Sequence, residues 1–140
     1  MTQAKYNPGY FRVDAEGIVR DWDEEMASML GYQPGDIIGV SMEVLIPESY
    51  RERHWAGFRR AMSRGATVHD QPALNVPLRS KEGSLAQYAA REIFLRDAFG
   101  SSVGVLVIVN DKTDDIVNEL ASPYSDALEK TSGAEDAQHY

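Results

Sequence analysis

The order of β-type and helical stretches is the feature that most limits how this chain of 140 residues can fold. Two short β-type runs come first, separated by the turn-forming tripeptide AEG, and they predict a hairpin. Helical patterns occupy most of residues 23–65, and β-type patterns return from residue 69. The expected sheet segments lie near 10–14, 18–22, 69–79, 84–96 and 103–110. This order predicts an α+β fold, an antiparallel sheet with its helices collected on one side.

The ends of two helices can be located from capping residues. In DEEMASML, Asp23 is the expected N-cap, Glu24 and Glu25 lie in the first turn, and Gly31 ends the helix. Capping explains these acids, and consecutive helical residues point in different directions, so they do not predict a paired-carboxylate site. The longest helix is expected over PESYRERHWAGFRRAMSRG, from Pro47 to Gly65.

Composition excludes several classes of protein. The hydrophobic content of 43% suits one compact core. The sequence contains no cysteine, which excludes thiolate catalysis, disulfides, cysteine-based zinc sites and cysteinyl-flavin photochemistry. It also contains no run of about 18 apolar residues and no apolar leader, so we expect a soluble, cytoplasmic protein without a membrane span.

Charge is distributed unevenly along the chain. Residues 111–140 contain eight acidic and two basic residues, a balance of −6 within the total of −8. The chief basic cluster is Arg51, Arg53, Arg59 and Arg60, which Glu52 interrupts. This cluster is typical of a solvated helix face, and a chain this acidic is not expected to bind nucleic acid.

His54 is the residue with the most chemical interest. On a helical wheel, the residues within about 60° of it are Tyr50, Gly57, Phe58 and Ala61. These neighbours direct the imidazole toward the core. A neutral imidazole in that position is either a metal ligand or a core polar group with satisfied hydrogen bonds, and helical spacing alone leaves both open.

Four stretches of the sequence together resemble a PAS domain: VDAEGIVRDWDEEMASMLGYQPGDIIG, LIPESYRERH, LRSKEGS and VGVLVIVNDKTD. The resemblance spans residues 9–115. It implies a five-stranded antiparallel sheet of order 2-1-5-4-3, a pocket between the sheet and its helices, and a sensory or interaction role. Residues 116–140 are expected to form an acidic C-terminal helix, marked by Ile116, Val117 and Leu120, and then a disordered tail.

The same sequence resembles, more narrowly, the haem-binding PAS domains of rhizobial oxygen-sensing kinases and bacterial oxygen-responsive phosphodiesterases. That likeness implies haem b with His54 as the iron ligand, and with Arg60 and His69 as contacts to the propionates. Gly57 leaves room beside the imidazole, next to Phe58. Leu74 occupies the position at which the rhizobial sensors carry a distal arginine. An iron with a free coordination position would bind, and so sense, a diatomic gas.

The strand after the KEG turn is expected to form a wall of the pocket. Alternation and the resemblance together place on the pocket face Ala86, Tyr88, Ala90, Glu92 and Phe94. Glu92 would then be a buried carboxyl group beside any ligand. A buried carboxylate needs a partner or a proton, which apolar haem pockets seldom supply.

These patterns predict a sensor that is not an enzyme, since no Ser/His/Asp or metal triad can be assembled. The leading interpretation is a cytoplasmic single-domain PAS sensor that binds a small ligand or cofactor, with haem as the specific candidate, and relays to a downstream partner protein. The alternative is a cofactor-free interaction module with a structural His54. A homodimer is expected in either case, because a PAS sheet leaves apolar positions uncovered.

Overall fold

The computed structural model describes residues 7–64 and 73–110. Its strands are β1 (Gly9–Asp14), β2 (Val19–Trp22), β3 (Leu74–Arg79), β4 (Leu85–Arg96) and β5 (Ser102–Asn110). Its α-helices are α1 (Glu24–Leu30), α2 (Pro34–Ile37) and α3 (Arg51–Arg64), and short 3₁₀ helices span Met42–Leu45 and Glu48–Tyr50. None of these helices is long and apolar enough to cross a membrane.

The strands form one antiparallel sheet of order β2-β1-β5-β4-β3, which confirms the predicted α+β fold and strand order. The predicted beginning of the third strand at residue 69 lies outside the described residues, as do the expected C-terminal helix and tail. β1 and β5, the first and last strands in the sequence, are neighbours at the centre of the sheet. The inner face of the sheet alternates along β5, where Val105, Val107 and Val109 are buried.

The caps of α1 follow the sequence prediction. The Asp23 carboxylate accepts hydrogen bonds from the backbone N–H of Met26 at 2.9 Å and of Tyr10 at 3.1 Å. It therefore caps the helix and also fastens it to β1. Gly31 ends the helix in the left-handed conformation at φ 84°.

The beginning of the long helix differs from the prediction. Pro47 precedes a 3₁₀ turn in which the Tyr50 N–H donates to the Pro47 carbonyl at 2.9 Å, and the α-helix begins only at Arg51. The Arg51 side chain donates to the Ile46 carbonyl at 3.0 Å, which holds the chain before the proline against the helix. Pro47 is tolerated here because the N–H that it lacks would have no partner within the helix at this position.

The β3–β4 turn is attached to the helical layer. The Lys81 N–H donates to the Leu30 carbonyl at 2.8 Å, and its ammonium group lies 3.1 Å from Asp36 Oδ2. These contacts join the edge hairpin to α1 and α2. They fix one rim of the space between the sheet and the helices.

Gly104 supplies a sharp test of this packing. It lies on β5 at φ 150°, and a Cβ built on it would come within 2.1 Å of the Val13 carbonyl oxygen. We expect Gly104→Ala to lower the free energy of unfolding by about 3 kcal/mol, because neither the backbone conformation nor the central strand can accommodate a side chain. Urea unfolding monitored by circular dichroism measures the change.

Gly35→Ala is the matched control for this substitution. Gly35 lies in α2, and a Cβ there meets no atom within 4 Å. The same change should alter the free energy of unfolding by about 1 kcal/mol or less. Equal losses at the two positions would contradict the packing described for β1 and β5.

Candidate functional site

The space between α3 and the sheet contains a small cavity. Its volume is about 30 Å³. Its lining is Phe11, Met42, Ile46, His54, Val76, Leu78, Ala90, Glu92 and Val107. Seven of these nine residues are apolar, so the polar character of the cavity comes from His54 and Glu92.

His54 reaches the cavity from the inner face of α3, as helical spacing predicted. The side chain is 1% exposed, and burial lowers the pKa of its imidazole to about 4. The imidazole is therefore neutral near pH 7. Its ring stacks on Phe58 with 6.1 Å between ring centroids and meets the edge of Trp55 at 4.8 Å.

Glu92 enters the cavity from β4. It lies opposite Val107 of β5, and its buried position confirms the alternation that predicted an inward carboxyl group. Ala90 precedes it on the same face and leaves free volume beside it. The cavity thus has an imidazole on the helical side and a carboxyl group on the sheet side, and its other lining residues are apolar.

The other predicted site residues are placed as follows. Gly57, Phe58, Leu74 and Tyr88 are all buried, but they do not line the cavity. Arg60 is exposed on α3. His69 lies outside the described residues. The structure therefore brings His54, Ala90 and Glu92 together at one cavity.

Trp55 follows His54 on α3 but does not line the cavity. Its indole N–H donates to Glu43 Oε1 at 2.8 Å. The ring lies over the β1–β2 turn, where a Cβ on Gly17 would come within 2.5 Å of it. Trp55 therefore fastens α3 to the hairpin and to the 3₁₀ helix that carries Glu43.

Sequence reasoning missed most of the apolar lining. Val76 and Leu78 alternate with Leu74 on β3, so their strand pattern could have identified them. Met42 and Ile46 lie on and beside a 3₁₀ helix, where no regular period marks the inward residues.

The cavity as it stands does not fit a haem. A volume of about 30 Å³ has room for about two water molecules, whereas pockets for drug-sized ligands occupy about 300 Å³ or more. His54 is chemically suited to bind iron as a neutral imidazole, but the space beside it is too small for a macrocycle. Within residues 7–64 and 73–110, no group of three potential metal-ligating His or acidic side chains comes together.

Comparisons with solved structures identify the fold. A PAS domain from Colwellia psychrerythraea is 17% identical, with a TM-score of 0.64 over 74% of this chain and 85% of its own. The PAS domain of the Cronobacter turicensis quorum-sensing receptor RpfR, solved with C12:0, is 11% identical, with a TM-score of 0.57 over 75% of this chain and 93% of its own.

A third similar structure is the PAS domain of a LuxR-family transcriptional regulator from Burkholderia thailandensis, solved with ethanol. It is 18% identical, with a TM-score of 0.56 over 79% of this chain and 96% of its own. No curated protein matches the chain. The family model for the PAS fold matches residues 6–115. Since this match covers most of the sequence and the sheet has the order expected for the fold, the chain belongs to the PAS family.

Proposed function

We propose that this chain is a sensory module that binds a small neutral ligand in the cavity between α3 and the sheet. PAS domains are generally sensory or signalling modules that bind small ligands. The observation that supports the proposal here is the pair of buried polar side chains at one cavity. The other buried side chains of the described residues are hydrophobic apart from glycine and proline, so two ionisable side chains at one cavity stand out, and a role in binding accounts for both.

The two polar groups suit a ligand that can both donate and accept hydrogen bonds. A neutral imidazole offers one N–H donor and one acceptor nitrogen, and a carboxyl group offers acceptor oxygens. The apolar walls would surround the carbon atoms of such a ligand. A permanently charged ligand would lose its hydration in the apolar cavity, so we expect an uncharged molecule.

The volume limits the ligand in the closed state to about three non-hydrogen atoms. The binding free energy of a small ligand does not exceed about 1.5 kcal/mol per non-hydrogen atom, so such a molecule binds with a Kd of about 1 mM or weaker. Anything larger has to displace α3 from the sheet. Relay to a partner protein would then follow from this displacement, since α3 is exposed on its other side.

Ethanol, the ligand of the Burkholderia relative, is the probe for the closed cavity. At about 100 mM, roughly a hundredfold above the limiting Kd, we expect it to shift the amide NMR signals of His54, Ala90 and Glu92. Ala90→Val fills the cavity. In a titration followed by the same signals, it should lower the apparent affinity for ethanol at least tenfold, which is about 1.4 kcal/mol. Ala89→Val, on the opposite face of β4, is the matched control.

Larger probes test the size limit of the closed cavity separately from the proposal that the cavity binds a ligand. Dodecanoic acid, as in the Cronobacter structure, and haem both exceed the closed volume. A Soret band on reconstitution that His54→Ala removes would contradict the size limit and support the haem interpretation. Absence of any cavity shift with ethanol, dodecanoic acid and haem would contradict the ligand-binding proposal itself.

The buried imidazole also predicts how stability depends on pH. The pKa of His54 is about 4 in the folded chain and 6.5 in its ordinary state, so between these values the unfolded chain binds a proton that the folded chain does not. Stability should therefore fall as pH drops through this window, by on the order of 3 kcal/mol in total. His54→Gln should flatten the profile between pH 6.5 and 4, as measured by urea unfolding. Parallel profiles for the two proteins would show that His54 does not titrate as described.

A second candidate function is a cofactor-free interaction module, and the outer face of the sheet favours it. Pro8, Gly9, Tyr10, Leu106 and Ile108 form an apolar groove of about 240 Å³ there. Tyr10 is 46% exposed. A second copy could cover this groove through a two-fold axis, since each copy would present the same apolar patch.

Light scattering tests this assembly. We expect a mass twice the 15.6 kDa of one chain, and a shift to the monomer mass in Ile108→Lys, because a buried unpaired ammonium group would oppose association. Leu85→Lys, at a residue that is exposed but outside the groove, is the control. A monomer mass for the unmodified chain at high concentration would contradict the second candidate and leave the ligand proposal intact.

A further inference from the structure

The outward face of α3 near its C-terminal end carries concentrated positive charge. Residues 59–64, RRAMSR, include three arginines and no acidic residue. Arg64 lies in the last turn, where the helix dipole favours a positive charge. Arg59 and Arg60 lie about one turn earlier, so the dipole explains them less well.

Arg59 and Arg60 are exposed and point away from the cavity. On the helical wheel they lie about 120–140° from His54, on either side of the outward direction. Among residues 7–64 and 73–110, neither guanidinium group forms an ion pair. They form a positive surface at which the described part of the chain supplies no counter-charge.

The chain itself contains a matching negative segment. Residues 111–140 have a balance of −6, whereas residues 1–110 have a balance of only −2. The charge is dense directly after β5, where residues 111–119 contain Asp111, Asp114, Asp115 and Glu119 against one lysine. Charge complementarity therefore pairs the C-terminal segment with the outward face of α3.

The topology places the beginning of this segment within reach of that face. Val109 of β5 pairs with Ala90 of β4, and Ala90 pairs with Leu74 of β3, so β5 ends at the same end of the sheet at which β3 begins. His54 and Val107 line the same cavity. Arg59 lies about 8 Å further along the helix axis than His54, and Asn110 lies about 10 Å beyond Val107 along β5.

Allowing about 10 Å for the layer spacing, the separation is at most about 30 Å whatever the angle between α3 and β5, and ten extended residues can span that distance. The acidic residues that follow β5 begin at position 111. The segment can therefore reach Arg59 and Arg60 without any change in the described fold.

We propose that the acidic C-terminal segment, residues 111–140, binds in cis to the basic outer face of α3 at Arg59 and Arg60. Each exposed ion pair favours the contact only about two- to fivefold, so the two pairs formed by Arg59 and Arg60 favour it about four- to twenty-fivefold, and the docked majority remains reversible and sensitive to salt. Because the same helix carries His54 on its inner face, a ligand that displaces α3 would also change this contact. The docking itself needs no ligand, so its test is independent of the proposed function.

A single spin label can test the contact in the full chain, since the sequence has no cysteine. We place a nitroxide at Ser63→Cys, an exposed position on the outward face of α3, and measure the amide NMR signals of residues 111–119. We expect these signals to lose about half or more of their intensity. Arg59→Glu with Arg60→Glu should restore them, as should about 1 M NaCl, where the Debye length falls to about 3 Å.

The charge-matched control is Arg12→Glu with Arg91→Glu, since strand alternation places both residues on the outer face of the sheet. This pair should leave the signal loss unchanged, whereas Asp114→Asn with Asp115→Asn should reduce it. Unchanged amide NMR spectra of residues 24–50, recorded without the nitroxide, verify that each variant is folded.

Three results would overturn the proposal. One is an absence of signal loss in the labelled chain, and another is restoration by the Arg12 and Arg91 changes instead of the Arg59 and Arg60 changes, which would place the segment on the sheet. The third is signal loss that arises entirely between molecules, detected by mixing a labelled chain with an isotopically enriched unlabelled chain. That outcome would mean that the segment of one copy binds α3 of another.

Discussion

The packing of α3 onto one face of the sheet is the contact on which the rest of this structure depends. Among residues 7–64 and 73–110, the helices lie on the inner side of the sheet, where α3 covers the centre of the core, and these residues leave the outer face of β1 and β5 uncovered. Phe58 and Ala61, on the apolar side of the helix, are buried against the rest of the core. The cavity lies where His54, Ala90 and Glu92 do not fill the space between the two layers.

The cavity brings together two opposing physical demands. A binding site needs polar groups that can recognise a ligand, but burying those groups costs free energy in the absence of one. The structure limits this cost by keeping the space small and by leaving His54 neutral, since burial lowers the pKa of its imidazole to about 4. A small cavity in turn restricts the ligand, so the affinity available to the closed form is low. Tighter binding would require movement of the helical layer.

The attachments of the helical layer indicate where such movement would be resisted. Lys81 joins the β3–β4 turn to α1 and α2, and the Trp55 indole joins α3 to Glu43 and to the hairpin turn. Within residues 59–64, the Ser63 hydroxyl donates a local hydrogen bond to the Arg60 carbonyl, and Ala61 is buried in the core. This part of α3 also carries the exposed positive charge of Arg59 and Arg60.

The sequence by itself determined the parts of this protein that depend on neighbours along the chain. The order of β-type and helical runs predicted the sheet and its helices, Asp23 and Gly31 fixed the ends of α1, and the spacing around His54 correctly directed its imidazole inward. Strand alternation likewise placed Glu92 on the inner face. Each of these inferences needs only the period of one element or the chemistry of one cap.

Only the tertiary structure decided what lies between these elements. The volume of the cavity is the small remainder left by side chains from several strands and helices, and no local period records it. The hydrogen bond from Trp55 to Glu43 joins residues in separate helices, so nothing near either residue signals it. The walls formed by Met42 and Ile46 have the same origin. The sequence therefore determined that His54 and Glu92 face inward, whereas the space beside them, and hence the size of ligand it admits, was set by packing between elements distant in the chain.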